Sequence, residues 1–164
     1  VQDQLRYLTS FTEDMRLRGL PTGSRILDFR LVHDPEVAKA MGIPESEELV
    51  QLRRLRLVRD DPVAIQNAFI RHRFCPGLVE RGLMEGSLYA TLERGYGLKL
   101  GRAIQTVEAK PADEYEARLL GIELGQPVLL LERLTFLKGG EPVEYVRSAY
   151  RGDRYRFTVE LPRR

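Results

Sequence analysis

The strongest constraint on the fold is an internal repeat in the amino-acid sequence. Residues 26–70 and 104–150 share one order of predicted elements: a strand, a short helix that ends at Gly-Ile, and a hairpin. The matched positions are Gly42-Ile43 with Gly121-Ile122 at a spacing of 79, and Pro62-Val63 with Pro142-Val143 at 80. Chance agreement between two ordinary units is the alternative explanation. Two copies are too few for a solenoid. They favour one α+β domain with a mainly antiparallel sheet, packed helices and a pseudo-two-fold axis relating the two hairpins.

Composition restricts the class of protein. The chain has 164 residues, of which 43% are hydrophobic and 30% charged. These values fit a single globular domain over residues 1–164 and exclude a disordered chain or a disulfide scaffold. One cysteine and two histidines argue against a metal site, and we predict no cofactor. Since no apolar run is long enough for a membrane helix and no signal peptide opens the chain, we expect a cytoplasmic protein without a membrane partner.

Local signals place helices and strands between the repeat boundaries. Ser10-Phe11-Thr12-Glu13 forms a capping box that predicts a helix over residues 11–18. Further helices are predicted at 34–42 and 113–120, and residues 77–95 are expected to be helical in character, with Ser87 capping a helix over 88–94. Strands are predicted at 25–31, 48–59, 63–74, 99–108, 128–137, 142–150 and 155–161. The last of these is expected to be an edge strand.

Two arginines of the strand 49–59 are the first candidate binding residues. Alternation along a strand puts Arg54 and Arg56 next to each other on a mostly apolar face, and Arg53 on the opposite face. Guanidinium groups cannot lose their protons at ordinary pH, so partly buried ones require anions. Carboxylates on neighbouring strands would satisfy them as salt bridges. A phosphate or carboxylate of a ligand would do so equally well.

Hydroxyl and carboxylate side chains extend the list of candidates. Ser87 begins a predicted helix, where free N–H groups favour an anion, and Tyr89 lies two residues further on. Thr12 holds a similar place in the first turn of the first helix. An ordinary helix cap and a core tyrosine would explain the same residues. Strand alternation directs Glu144, Ser148 and Tyr150 to one face of the second hairpin. Gln66 points to a face of the first hairpin. There they could bind sugar-like hydroxyls or simply face solvent.

Motifs for catalysis and for nucleic-acid binding are missing. The sequence has no G-x-S-x-G, H-E-x-x-H, P-loop or G-x-G-x-x-G pattern. Its many arginines are interleaved with leucine, and 26 basic residues stand against 24 acidic ones. No helix-turn-helix or RNA-motif signature appears. These absences argue against an enzyme and against direct DNA binding.

Five stretches of the sequence together resemble the UTRA domain over roughly residues 5–160. They are Ser10 to Met15 with Gly19, Pro21 and Gly23-Ser24-Arg25; Leu52 to Arg56; Asp61 to Ala64; Gly86 to Tyr89; and Glu141 to Tyr145. UTRA domains are the effector-binding halves of GntR-type bacterial transcription regulators of the HutC subfamily. The resemblance implies a chorismate-lyase-like fold. It also implies a winged helix-turn-helix domain on the N-terminal side, which this chain lacks and through which alone DNA would be bound.

The resemblance also implies an effector site. In members that respond to amino-sugar phosphates, a hydroxyl near the first helix, two alternate arginines and a Ser-x-Tyr hold the phosphate. The matching residues here are Thr12, Arg54, Arg56, Ser87 and Tyr89. The family's acidic sugar-binding residue falls on Gln66, which is a departure and leaves the sugar open. The family's glutamate and tyrosine of the second repeat are both present here, as Glu144 and Tyr150.

The sequence therefore predicts a non-enzymatic sensor of an anionic metabolite such as a sugar phosphate. We expect it to form a homodimer and to control the DNA binding of an attached winged-helix domain. A small chorismate-lyase-like enzyme acting on an anionic metabolite is the alternative, since a fold does not decide a function. Direct nucleic-acid binding is a weaker third possibility.

Overall fold

A six-stranded antiparallel sheet forms the centre of the computed structural model, which describes residues 2–4 and 18–163. The strands are β1 (Gln2–Gln4), β2 (Thr22–Val32), β3 (Leu49–Val58), β4 (Asp61–Arg71), β5 (Leu100–Pro111), β6 (Pro127–Leu137), β7 (Pro142–Arg151) and β8 (Arg156–Thr158). The helices are α1 (Pro35–Met41), α2 (Leu78–Arg81), α3 (Leu88–Ala90) and α4 (Glu114–Leu120). The large sheet has the order β2-β3-β4-β7-β6-β5. The predicted α+β class and antiparallel sheet are confirmed.

Three predicted elements differ from the structure. The helical stretch expected over 77–95 is interrupted between α2 and α3, because Gly82, Glu85 and Gly86 all have positive φ angles that a right-handed helix does not contain. The helix predicted over 88–94 is present, as α3 and the π-type turn at Thr91–Gly95 that continues it. The strand expected over 63–74 ends at Arg71 and continues as a 3₁₀ turn. The expected C-terminal edge strand contains only three residues and pairs in parallel with β1, outside the large sheet. The helix predicted over 11–18 lies almost wholly outside the described residues.

The predicted pseudo-two-fold axis is confirmed by the register of β4 and β7. These antiparallel strands join the two halves, and Asn67 lies directly opposite Arg147. The two residues are 80 positions apart, which is the repeat spacing at this hairpin, so the axis passes between them. Register shifts also repeat: one lies after Arg56 in the β3–β4 pair, and one after Thr135 in the β6–β7 pair. The spacing changes from 79 to 80 because the second hairpin loop is one residue longer.

The two main helices are bounded by equivalent residues in both halves. Asp34 begins α1 by accepting hydrogen bonds from the N–H groups of Glu36 and Val37, both at 3.1 Å. Asp113 begins α4 within a complete capping box. Gly42 and Gly121 end these helices in the left-handed conformation, with φ of 70° and 68°. Each helix therefore starts and stops where its own sequence specifies.

Both faces of the sheet are covered. Helix α1 packs Val37 and Met41 on Leu49 and Phe69, with Tyr145 of the second half alongside. Helix α4 packs on strands of the first half as well as its own, which ties the halves together. Its cluster comprises Leu55, Ile65, Ala112, Ala117, Leu120 and Val128. The opposite face is covered at one end by α2, α3 and the turn after them, and at the other by the segment that holds Tyr155 and Phe157.

No helix within residues 2–4 and 18–163 is long and apolar enough to cross a membrane.

The matched helix ends allow a test of the repeat. Gly121→Ala and Gly42→Ala should each lower the free energy of unfolding by about 1–2 kcal/mol, because an L-residue is strained in the left-handed region. Neither added Cβ would meet an atom within 4 Å, so strain is the expected cause. Gly139→Ala is the control, since its added Cβ also has open space and its φ is not positive. Urea unfolding measures all three; a control that loses as much stability would contradict the argument.

Candidate functional site

One face of the sheet gathers the predicted binding residues. Residues directly opposite each other on neighbouring strands point to the same face. Arg54 lies opposite Gln66, and Gln66 opposite Ser148. Arg56 and Tyr150 both lie opposite Ala64. We call this side the site face. Glu144 points to the site face as well, because it lies on β7 four residues before Ser148. Four residues of a strand span about 13 Å. Arg53 occupies the reverse face, as the sequence predicts.

Arg54 and Arg56 are cations in a desolvated setting. Arg54 is 6% exposed and Arg56 is 2% exposed. Burial and the neighbouring charge of Arg56 lower the pKa of Arg54 to about 9, and burial lowers the pKa of Arg56 to about 10. Both guanidiniums are therefore still protonated at neutral pH. An approaching anion would offset the energetic cost that these lowered pKa values express.

Arg54 is held by a backbone carbonyl instead of a carboxylate. Its Nη1 donates to the carbonyl oxygen of Gly86 at 3.0 Å. Its buried Nε has no partner among the described residues, and the same holds for the Oγ of Ser148. No acidic group within this part of the chain comes within 4.0 Å of its guanidinium. Within the described part of the structure, Arg54 therefore forms no salt bridge with a carboxylate of a neighbouring strand.

The loop before α3 brings a second set of groups onto the site face. Glu85 and Gly86 have φ angles of 52° and 69°, and this left-handed pair directs the Gly86 carbonyl towards Arg54. Ser87 caps α3, since its Oγ accepts from the N–H of Ala90 at 3.1 Å. The predicted cap is present. The helix it starts runs from α3 directly into the π-type turn that ends at Gly95.

Tyr89 connects this loop to a buried carboxylate. The Tyr89 hydroxyl donates to Oε1 of Glu144 at 2.9 Å, and the Thr135 hydroxyl donates to the same oxygen at 3.0 Å. Glu144 is 2% exposed. Burial raises the pKa of Glu144 above its ordinary value of 4.5, while the charge of Arg133 acts in the opposite direction. Burial likewise raises the pKa of Tyr89, with the Glu144 charge adding to the effect.

Gln66 and Tyr150 meet at the centre of the site face. The Gln66 amide Nε2 donates to the Tyr150 hydroxyl at 3.1 Å. The Tyr150 ring stacks on Tyr155 with 4.4 Å between the ring centres, and Phe157 lies beside both. These aromatic contacts fix the direction of the Tyr150 hydroxyl. The structure therefore brings Arg54, Arg56, Gln66, Ser87, Tyr89, Glu144 and Tyr150 to one side of the sheet. Thr12 lies outside the described residues.

Sequence reasoning missed two residues of this network. Arg133 donates from Nη1 to the Tyr89 hydroxyl at 3.3 Å and from Nε to Oε1 of Gln105 at 2.7 Å. Thr135 shares Glu144 with Tyr89. The internal repeat could have predicted both, because Arg133 and Thr135 lie 79 residues after Arg54 and Arg56. The repeat already matches Arg54 with Arg133, and carrying the candidate binding role from each arginine to its match would have found both residues.

A groove on the reverse face is a poorer candidate. It is lined by Arg53, Tyr115, Arg147 and residues of β4, β6 and α4. Its charges are mostly engaged already: Arg53 contacts Asp28 at 2.6 Å, and Lys110 contacts Glu116 at 2.5 Å. The predicted residues lie on the other side of the sheet. We therefore place the candidate site on the site face.

The described part of the chain offers little else for catalysis or metal binding. No cluster of three His, Cys, Asp or Glu side chains suited to a metal ion occurs within it. Cys75 is buried, and burial raises the pKa of its thiol to about 12, so it is a poor nucleophile near neutral pH.

Fold and site together define a ligand-binding α+β domain, and comparison with known proteins assigns its family. The UTRA domain profile matches residues 17–156, and the chain belongs to the UTRA domain family. Its relatives place it within the GntR family of transcription regulators, so the recognition made from the sequence is confirmed. The assignment implies effector binding and a role in transcription regulation.

Individual relatives support the same conclusion. The chain is 37% identical to the HTH-type transcriptional repressor NagR of Bacillus subtilis (strain 168), over 99% of this chain and 67% of that protein. It is 31% identical to the HTH-type transcriptional repressor PhnF of Mycolicibacterium smegmatis, over 93% of this chain and 62% of that protein. The effector domain of PhnF from Mycobacterium smegmatis superposes with a TM-score of 0.91 at 29% identity, covering 99% of this chain and 100% of that one. These relatives are repressors, which points to a regulator rather than an enzyme.

The buried carboxylate gives a pH-dependent prediction. Because the pKa of Glu144 is raised on folding, its ionised form lowers the free energy of unfolding near pH 7. That penalty fades as the pH falls towards the unfolded pKa. Glu144→Gln should therefore be stabilised relative to wild type by more near pH 7 than at about pH 5. Urea unfolding at both pH values measures the difference. Glu141→Gln, exposed on the same hairpin, is the control, and an equal difference at both pH values would contradict the prediction.

Proposed function

We propose that this domain binds an anionic effector of the sugar-phosphate class on the site face. The observation that carries the proposal is the pair of buried cations, Arg54 and Arg56, on a face that also holds a buried carboxylate, Glu144. One end of the site is therefore suited to an anion. The other end is suited to hydroxyl or amine donors, which Glu144 can accept.

The anion end is supported by energetics. Two buried guanidiniums on one face repel each other, and burial already lowers the pKa of both. A phosphate placed between them would accept charge-assisted hydrogen bonds, each contributing roughly 1.5–3 kcal/mol. The Nε of Arg54, buried and without a partner among the described residues, is a donor that such a ligand could use. Ser87, Tyr89 and Thr12 are proposed as further phosphate contacts, as the family resemblance implies.

The sugar end is supported by a mixture of donors and acceptors. Gln66 offers an amide that donates and accepts, and the Ser148 hydroxyl has no partner among the described residues. Glu144 is an acceptor that already holds two hydroxyl groups on one oxygen. Tyr150 presents a hydroxyl fixed by aromatic stacking. Such alternating polar groups on an otherwise apolar face suit a polyhydroxylated molecule.

The proposed regulatory role follows from the family and not from this domain alone. The chain spans 67% and 62% of the two HTH-type relatives compared. We propose that effector binding alters the DNA affinity of a winged-helix domain in the longer protein, and that DNA contacts belong to that domain. Such coupling requires different effector affinities in the DNA-competent and DNA-incompetent states. We also propose a cytoplasmic location and a homodimer.

The anion clamp is tested by titration calorimetry. Arg56→Ala should weaken the binding of a sugar phosphate by about 10- to 150-fold, since one or more charge-assisted hydrogen bonds are lost and 1.4 kcal/mol is tenfold. The dephosphorylated sugar should bind wild type and Arg56→Ala alike. Arg53→Ala is the matched control, because Arg53 is on the same strand and faces the reverse side. Thermal melts of all three proteins show whether the variants remain folded.

Two results would oppose the clamp. If wild-type protein binds the sugar and its phosphate with equal affinity, the arginines do not recognise the phosphate. A loss of affinity in Arg53→Ala as large as in Arg56→Ala would show a general effect of removing positive charge.

The isolated domain should neither bind DNA nor transform its effector. We expect no salt-dependent retention on random duplex DNA, because phosphate contacts would produce a steep salt dependence and the DNA-binding element is proposed to lie elsewhere. Mass spectrometry of a bound sugar phosphate, recovered after prolonged incubation, should show an unchanged mass. Retention that falls with salt would favour direct nucleic-acid binding, and a converted ligand would favour an enzyme.

A further inference from the structure

Strand β5 forms one edge of the large sheet and is long and regular. It is 12 residues long, and its apolar side chains Ile104 and Val107 are 56% and 37% exposed. Its register to β6 runs without a break from Arg102 to Pro111. A long, regular edge with exposed apolar residues is a template for pairing with another strand.

The opposite edge, β2, carries features that hinder such pairing. It also exposes Ile26 and Leu31, at 50% and 42%, but a register shift between Ile26 and Asp28 interrupts it. Asp28 is engaged by Arg53 at 2.6 Å and lies 3.9 Å from Arg30. Bulges and charged side chains are common ways to keep a sheet edge from pairing. The two edges are therefore unequal although the halves are related by the pseudo-two-fold axis.

We propose that β5 pairs antiparallel with β5 of a second copy of this chain, centred on Gln105. In that register Arg102 of one copy lies opposite Glu108 of the other, and this pair occurs twice because of the symmetry. Ile104 lies opposite Thr106, and Ala103 opposite Val107. The strand is thus complementary to itself in charge and covers its own exposed apolar residues. The inference rests on the homodimer proposed above and names its surface.

Neighbouring contacts position Arg102 and Gln105 for this role. Arg102 is held over the ring of Phe136, with 4.1 Å between the guanidinium carbon and the ring centre. Its side chain is therefore partly ordered before pairing, which reduces the entropy lost on association. Gln105, at the proposed symmetry axis, accepts from Arg133, and Arg133 contacts Tyr89 of the candidate site. The interface would lie two hydrogen bonds from the effector site.

The geometry also fixes how the two sites are arranged. Antiparallel pairing of a strand with its own copy about a central residue requires a two-fold axis perpendicular to the sheet. Such an axis keeps side chains of the same face together. Both site faces would therefore lie on the same side of one twelve-stranded sheet, formed from two six-stranded sheets.

A charge swap tests the register. Sedimentation equilibrium of the chain should give a dimer, and Arg102→Glu or Glu108→Arg should each weaken dimerisation by roughly 10- to 100-fold, because both symmetric pairs become repulsive. The double variant Arg102→Glu/Glu108→Arg should restore an affinity close to wild type. Arg30→Glu, a charge reversal on the β2 edge, is the control and should leave dimerisation unchanged. Thermal melts verify that each variant is folded.

The possible outcomes distinguish the β5 interface from the homodimer proposal on which it rests. A wild-type dimer that neither single variant weakens would place the interface elsewhere and overturn the β5 pairing, while the homodimer would stand. Single variants that weaken the dimer without rescue by the double variant would overturn the register centred on Gln105. A wild-type monomer at tens of micromolar, about the range of weak association, would overturn the homodimer and the β5 interface together. Effector affinity, measured separately, would be unaffected by that result.

Discussion

The pairing of β4 with β7 is the constraint on which the rest of the domain depends. It joins two strand-helix-hairpin units about an axis between Asn67 and Arg147. Helix α4 packs on strands of both halves, so this cluster of the core is complete only when the halves are joined. The same pairing creates the site, because it sets Gln66 beside Ser148 and places Arg54 and Glu144 on one continuous face.

The charged residues of the candidate site lower the stability of the fold, and this cost points to a role in binding. A sheet face that holds two buried guanidiniums and a buried carboxylate sacrifices apolar packing and lowers or raises the pKa of each group. Burying charged groups is generally costly for stability. Their concentration at one place, where Arg54 is bound by the Gly86 carbonyl instead of a carboxylate, is the pattern expected where a ligand completes the electrostatics.

The two repeats have diverged in a way that separates their roles. At the positions of Arg54 and Arg56, the second half carries Arg133 and Thr135. The first-half residues are proposed to bind the anion, and the second-half residues instead support Tyr89 and Glu144 through hydrogen bonds. On this proposal, a pseudo-symmetric scaffold supplies an anion-binding end and a hydroxyl-binding end from equivalent strand positions. The asymmetry of the two sheet edges follows the same divergence.

The sequence by itself determined the elements whose signals are local: the helices bounded by Asp34 and Gly42 and by their repeats, the hairpins, and the alternation that separates Arg53 from its neighbours. Those features depend on backbone preferences and on period-two geometry, which a few adjacent residues specify. Only the tertiary structure decided that Arg54 contacts the Gly86 carbonyl, that Tyr89 reaches Glu144, and that the helical stretch after Gly77 is interrupted before Ser87. Each of these depends on strand register and on packing between residues far apart in the chain, and no local sequence pattern encodes such distances.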